Sequence, residues 1–269
     1  MIQRRTSRWL SSSKAHAPAT HPVPQPPIPE ALRLLSDETR WRLVSELRWS
    51  DRQVSELCER AGLPQNLVSY HLGVLRQAGL VRTHRSDADG RALYYGLDLV
   101  ALRAGLHAIN GALALDTPAA PQSPMGGPVL FVCTRNSARS QMAEAWLRQI
   151  SGGRIVARSA GTAPAGIQPL AIQVMAEAGI DIGYQHAKSL SEAMSPAPEV
   201  VVTVCDLARE ECASTLNAPL QLHWSVPDPV AVAGDDTARL LAFRAARDEL
   251  RLRVDGLIGL LRSISINGN

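Results

Sequence analysis

The apolar pattern predicts two domains: a mainly helical one closed by a β-hairpin, and an α/β one built on a parallel sheet. Three observations carry this. The chain has 269 residues, long enough for two hydrophobic cores of ordinary size. A proline-rich stretch from Asp116 to Pro128, DTPAAPQSPMGGP, has the composition of a linker and no apolar period. Helical spacing dominates before that stretch, whereas strand-like and helix-like runs alternate after it.

The elements follow in order. Residues 1–29 carry Arg4, Arg5 and Arg8, a run of serines and six prolines, without the apolar stretch of a signal peptide, and read as a disordered tail. Helical spacing runs through 31–35, 39–47, 53–61 and 66–78. Two short strand-like runs, 80–84 and 92–97, flank the turn Ser86-Asp87-Ala88-Asp89-Gly90. Helices followed by such a hairpin make a winged helix. A further helix over 99–115 has its apolar residues on one stripe and suits dimerisation, so a homodimer is expected. These limits give a first domain at 30–115, a linker at 116–127 and a second domain at 128–269. In the second, strands are expected at 129–133, 154–159, 200–204 and 220–224, with helices at 138–150, 169–178 and 237–264. Alternation of this kind implies a four-stranded parallel sheet covered on both faces, with its functional crevice at the carboxyl ends of the strands. Cys133, Cys205 and Trp224 fall at or just beyond such ends.

Charge divides unevenly. Residues 1–117 hold 15 Lys+Arg against 11 Asp+Glu, and residues 118–269 hold 13 against 14. A mildly basic first half permits a polyanionic partner. No apolar run reaches the roughly 18 residues of a membrane span, so no membrane partner is expected. The chain has four cysteines, Cys58, Cys133, Cys205 and Cys212. In the cytoplasm, the expected location, these stay reduced unless catalytic or metal-bound, and no spacing here points to a metal.

The segment LCERAGLPQNLVSYHLGVLRQAGLV resembles the helix-turn-helix of ArsR-type winged-helix repressors, and the likeness extends over roughly residues 30–110. Gly62 closes one helix and Pro64 suits the start of the next. The resemblance implies that Gln65, Asn66, Ser69, Tyr70 and His71 face the major groove of operator DNA while Leu67, Leu72 and Leu75 pack inward. Arg82, Arg85 and Arg91 on the hairpin would meet phosphates, and His84 would be a surface side chain. Arsenite-responsive members place paired thiols in the helix before the recognition helix. The matching positions here are Gln53 and Ser55, leaving Cys58 as a single thiol and a poor trap for trivalent arsenic.

In the second half, VLFVCTRNSARSQMAEAW reads as a buried strand ending at Cys133, a short loop and a helix. Such a loop turns successive backbone N–H groups inward, and the helix N-terminus adds its dipole, so Thr134, Arg135, Asn136, Ser137, Ala138, Arg139 and Ser140 form a cradle for a tetrahedral oxyanion. The same field stabilises a thiolate, and a cysteine so placed reaches a pKa of roughly 3.5–7.5. Arg139 offers a planar fork for two oxyanion oxygens, Ser140 a hydroxyl for the thiolate, and Asn136 tolerates the left-handed backbone.

This segment resembles the P-loop of low-molecular-weight tyrosine phosphatases and of the arsenate reductases built on the same fold, over roughly residues 128–264. The resemblance implies Cys133 as nucleophile and Asp228, in Asp228-Pro229, as general acid. It also separates two chemistries. Thioredoxin-coupled arsenate reductases add two thiols seven positions apart after the third strand, and Cys205 and Cys212 have that spacing. The implied relay passes from Cys133 to Cys205 to Cys212 and then to thioredoxin or a low-molecular-weight thiol, with no bound cofactor. A helix over seven residues rises about 10 Å, whereas a disulfide tolerates a Cα separation of at most about 7 Å, so the Cys205–Cys212 segment must unwind to pair. Arg135 and Ala138 depart from the family's usual glycine and second loop cysteine. Three functions remain in view: a repressor fused to an arsenate reductase, a repressor fused to a tyrosine phosphatase, and a regulator that only senses an oxyanion. Cys133, Arg139 and Asp228 together disfavour the last, and Cys205 with Cys212 favour the first. Val230 and Ala231, where phosphatases often carry aromatics, also lean towards a small inorganic substrate.

Overall fold

The computed structural model describes residues 28–88, 90–113, 127–212 and 215–267. Most of the expected tail and linker lie outside these residues, as does the end of the helix expected to reach 115.

Four helices open the described chain: α1 (Glu30–Leu35), α2 (Glu38–Leu47), α3 (Val54–Ala61) and α4 (Gln65–Gln77). Local chemistry sets their ends. The Asp37 carboxylate accepts from the Arg40 amide at 2.9 Å at the start of α2. The Gln53 amide donates to Glu56 Oε2 at 2.8 Å at the start of α3, and Gly62, at φ 63°, ends α3 in a left-handed conformation that costs glycine little. Pro64 is the N-cap of α4. Leu43, Leu57, Val68, Leu72 and Leu75 meet in a helical core. Val68, rather than the expected Leu67, is the fully buried residue of the first turn of α4; Leu67 is half-buried. The antiparallel wing follows, β1 (Val81–Arg85) and β2 (Leu93–Leu97), and then α5 (Leu99–Leu113).

The second core is larger. It contains β3 (Val129–Cys133), α6 (Arg139–Ile150), β4 (Ala157–Gly161), α7 (Pro169–Glu177), α8 (Leu190–Ala193), β5 (Val200–Thr203), α9 (Asp206–Cys212), β6 (Leu220–His223) and α10 (Asp236–Asn267). The four strands form one parallel sheet in the order β4-β3-β5-β6. Val129, Leu130, Phe131 and Val132 of β3 are wholly buried, as a central parallel strand requires. β4 begins three residues later than its apolar pattern suggests, because Arg154 closes the preceding turn through its Nε–H to Ser151 O at 2.8 Å. The short helices α8 and α9 have too few residues for a period to show in sequence.

The two cores share a polar seam along β6, the edge strand. The Asp51 amide donates to His223 O at 2.7 Å, the His223 amide to Ser50 Oγ at 3.0 Å, and Trp224 Nε1 to Trp49 O at 3.0 Å. These bonds satisfy edge groups that would otherwise invite a further strand. Arg253 of α10 reaches across to the buried Asp51 carboxylate at 2.8 and 3.1 Å. Arg82 of the wing forms a two-point ion pair with Glu249 of α10, and Arg209 of α9 pairs with Glu56 of α3. No helix among the described residues is long and apolar enough to cross a membrane.

Candidate functional site

β3 delivers Cys133 to the carboxyl edge of the sheet, where the chain turns sharply before α6. Asn136 stands at the bend with φ 46°, the one non-glycine residue with positive φ among those described. Its amide donates to Cys133 Sγ at 3.1 Å, and the Ser140 hydroxyl lies 2.9 Å from the same sulfur. In the second contact either the hydroxyl or the thiol can donate. The Asn136 side chain fixes the loop from inside: its Nδ2 donates to Ser140 Oγ at 2.9 Å, and its Oδ1 accepts from Gln141 Nε2 at 2.9 Å and from the Lys188 amide at 2.7 Å.

The loop is also sewn to the segment after β4. Thr162, Ala163 and Ala165 donate their amides to the carbonyls of Cys133, Thr134 and Arg135 at 3.2, 2.8 and 2.9 Å. These bonds occupy the loop carbonyls and fix the course of the loop. Gly161 makes the approach possible. A Cβ there would stand 2.7 Å from Thr134 O and 2.9 Å from Asn136 N, both backbone atoms.

Arg139 is buried at the first turn of α6. Its Nη1 donates to Val226 O at 2.8 Å, and its Nη2 lies 3.1 Å from Asp228 Oδ2. Burial opposes its charge, but Cys205, Asp228, Cys133 and Asp87 around it outweigh that effect and hold its pKa above the ordinary arginine value. Cys133, Thr134, Arg139, Cys205 and Asp228 face one cavity of about 360 Å³, into which Val230 and Ala231 also open. The Thr134 hydroxyl lies 3.6 Å from Cys205 Sγ. Burial pushes the Cys205 thiol up, with Arg139 working in the opposite direction.

Cys205 immediately precedes α9, Cys212 is its last residue, and both are buried. Cys212 does not line the oxyanion cavity. It faces a separate cavity of about 280 Å³ between β5, β6 and the N-terminal helices, and burial pushes its thiol up as well.

Several groups near Cys205 carried no signal in the sequence pattern. Asp206 is buried beside it, accepting from His223 Nε2 at 3.0 Å and from the Asp87 amide at 3.0 Å. Burial opposes its charge, yet hydrogen bonds from His223, His84 and the Asp87 amide hold its carboxyl well below the usual carboxylate range. His223 is pushed down by burial, and a neutral ring donating from Nε2 can accept the Thr203 hydroxyl at Nδ1, 2.9 Å away. His84 was expected as a plain surface side chain. It sits instead 3.1 Å from Asp87 and 3.3 Å from Asp206, whose hydrogen bonds raise its pKa to about 9.

On the winged helix, Gln65, Asn66, Ser69 and Tyr70 are exposed along one side of α4. His71, expected beside them, is buried and lies 3.7 Å from Asp37, because it falls on the inward side with Leu72 and Leu75. Arg85 and Arg91 are exposed, and Arg85 donates to Gly90 O at 3.1 Å. Arg82 is committed to Glu249 and is not presented with them. Gln53 donates to Tyr94 Oη at 3.2 Å, and Cys58 packs half-buried against the helical core as a small apolar group.

Fold and site define a two-domain protein in which a winged helix is joined to a cysteine-centred domain of the phosphatase type. Residues 128–266 match the low molecular weight phosphotyrosine protein phosphatase family, and the chain belongs to it. Residues 37–83 match the bacterial regulatory proteins of the arsR family. The arsenate reductase of Halalkalibacterium halodurans is 36% identical over 126 residues, which cover 47% of this chain and 91% of that protein. The arsenate reductase of Bacillus subtilis is 35% identical over 126 residues, with the same coverage. A solved structure of an arsenate reductase in the phosphate binding state has 31% identity and a TM-score of 0.43, covering 51% of this chain and 99% of that one.

Proposed function

We propose that the chain is an ArsR-type transcriptional regulator joined to an arsenate reductase that works by a three-cysteine relay. The observation that carries the reading is the shared cavity of Cys133, Arg139, Asp228 and Cys205, with Cys212 at the far end of the helix that begins beside Cys205. The Cys133 thiolate attacks arsenic(V) while Asp228, as general acid, delivers a proton to the departing oxygen, which leaves as water. The Cys205 thiolate then attacks Cys133 Sγ. The electron pair of the sulfur–arsenic bond passes to arsenic, arsenite leaves, and a Cys133–Cys205 disulfide remains. Cys212 attacks Cys205 in turn, freeing Cys133, and an external dithiol of the thioredoxin kind or a low-molecular-weight thiol reduces the Cys205–Cys212 disulfide. That last pairing needs α9 to unwind, since its rise of about 10 Å exceeds disulfide reach.

The DNA-binding reading rests on the exposed row Gln65, Asn66, Ser69 and Tyr70, with Arg85 and Arg91 as phosphate contacts on the wing. A cytoplasmic homodimer joined through α5, where Val100 and Leu106 are exposed, completes the reading. Arsenate turnover with a thioredoxin system tests the relay: Cys205→Ser and Cys212→Ser should each abolish multiple turnover, and normal turnover in both would falsify it. Asn66→Ala with Tyr70→Ala should abolish operator-specific shift in a gel assay; unchanged specific binding would remove α4 as the reading helix.

A further inference from the structure

One residue of the oxyanion cavity comes from the other domain. Asp87 sits on the turn between β1 and β2 of the wing, yet its Oδ2 lies 3.4 Å from Nη1 of Arg139, and it lines the same cavity as Cys133 and Asp228. Its placement is fixed at three points. Its amide donates to Asp206 Oδ2 at 3.0 Å, its Oδ1 lies 3.1 Å from His84 Nε2, and the neighbouring Ser86 hydroxyl donates to Glu210 Oε1 at 2.9 Å. The side chain is about one-third exposed at the cavity mouth.

Arg139 therefore has a carboxylate at each end of its fork, Asp228 on Nη2 and Asp87 on Nη1. Asp228 belongs to the same domain and has a chemical role there. Asp87 has none in the relay. A tetrahedral dianion needs the fork's N–H donors and is repelled by a carboxylate held beside them. We propose that Asp87 sets the affinity of the oxyanion site, as a carboxylate delivered by the DNA-binding domain that competes with a tetrahedral oxyanion for Arg139. Anion binding and wing docking then oppose one another, and by linkage each weakens the other by the same factor. This inference rests on the reading that the loop from Cys133 to Ser140 binds oxyanions.

The test uses the full chain and inorganic phosphate. Protection of Cys133 from alkylation by iodoacetamide, titrated with phosphate, gives a dissociation constant. Asp87→Asn keeps the size and the backbone bond to Asp206, and it should lower that constant by about 5- to 150-fold, the range of ordinary site-to-site coupling. Asp87→Ala should do the same, and Asp87→Glu should bind as weakly as the native chain. In the native chain, saturating phosphate should speed amide hydrogen exchange at residues 84–90, a readout that needs no substitution. Protection with an unchanged constant in the Asn and Ala variants, and unaltered exchange, would overturn the role of Asp87 while leaving the oxyanion site standing. Absence of protection in every chain would overturn both.

Discussion

Replacing Gly161 with alanine tests whether the Cys133 loop is held at the geometry the proposed chemistry needs. The added methyl would stand 2.7 Å from Thr134 O, 2.9 Å from Asn136 N and 3.0 Å from the carbonyl carbon of Arg135. Non-bonded contacts of this kind settle near 3.5 Å or beyond, so the loop and β4 must separate by roughly 0.5–0.8 Å. No flexible side chain can absorb that movement, because all three atoms are backbone. Overpacking in a well-packed interior costs about 1–3 kcal/mol. The displaced atoms are those that carry the Asn136 amide towards Cys133 Sγ, and a misplacement of about 1 Å at a reacting centre costs on the order of a hundredfold in rate. Gly161→Ala should therefore lower the single-turnover rate by about ten- to a hundredfold and also lower Tm. Arsenate turnover under single-turnover conditions, together with thermal unfolding, reads both. A native single-turnover rate and a native Tm in the variant would refute the claim that the loop rests against Gly161.

Two further outcomes concern the seam between the domains. Asp51→Ala leaves the buried Arg253 guanidinium without one of its two carboxylates and should cost about 3 kcal/mol, towards the low end for breaking a buried pair because Glu249 remains 2.9 Å away; equilibrium urea unfolding measures it, and a loss below about 1 kcal/mol would show the pair to be dispensable. His84 titrates near 9 in the folded chain against 6.5 for an unperturbed histidine, so its contribution is complete below about pH 6.5 and disappears as pH rises through about 9. Tm should thus fall between pH 6.5 and 9.5 more steeply in the native chain than in His84→Gln, and parallel curves would count against the His84–Asp206 pairing.

Much of the Cys133 loop was legible in the sequence because it is local. A buried strand, a short loop and a helix place Cys133, Asn136, Arg139 and Ser140 within a few residues of one another, and the backbone direction of that unit follows from its pattern. The recognition helix was legible for the same reason, with Gly62 and Pro64 marking the break before it. Period alone did not say which face of α4 is inward, so it left His71 between a groove contact and a core contact; packing puts it in the core. Asp87 and Arg82 were read as parts of a DNA-facing hairpin; their partners, Arg139 and Glu249, lie far along the chain.

What the sequence by itself determined is the set of elements, the two cores and the strand-loop-helix unit that carries Cys133, all consequences of short-range spacing and of apolar periodicity. Only the tertiary structure decided what surrounds that loop: Gly161 beneath it, the Asp206–His223–His84 network beside Cys205, and a wing turn that reaches Arg139. These are contacts between residues distant in sequence. They depend on the directions in which separate elements pack, which no local pattern encodes.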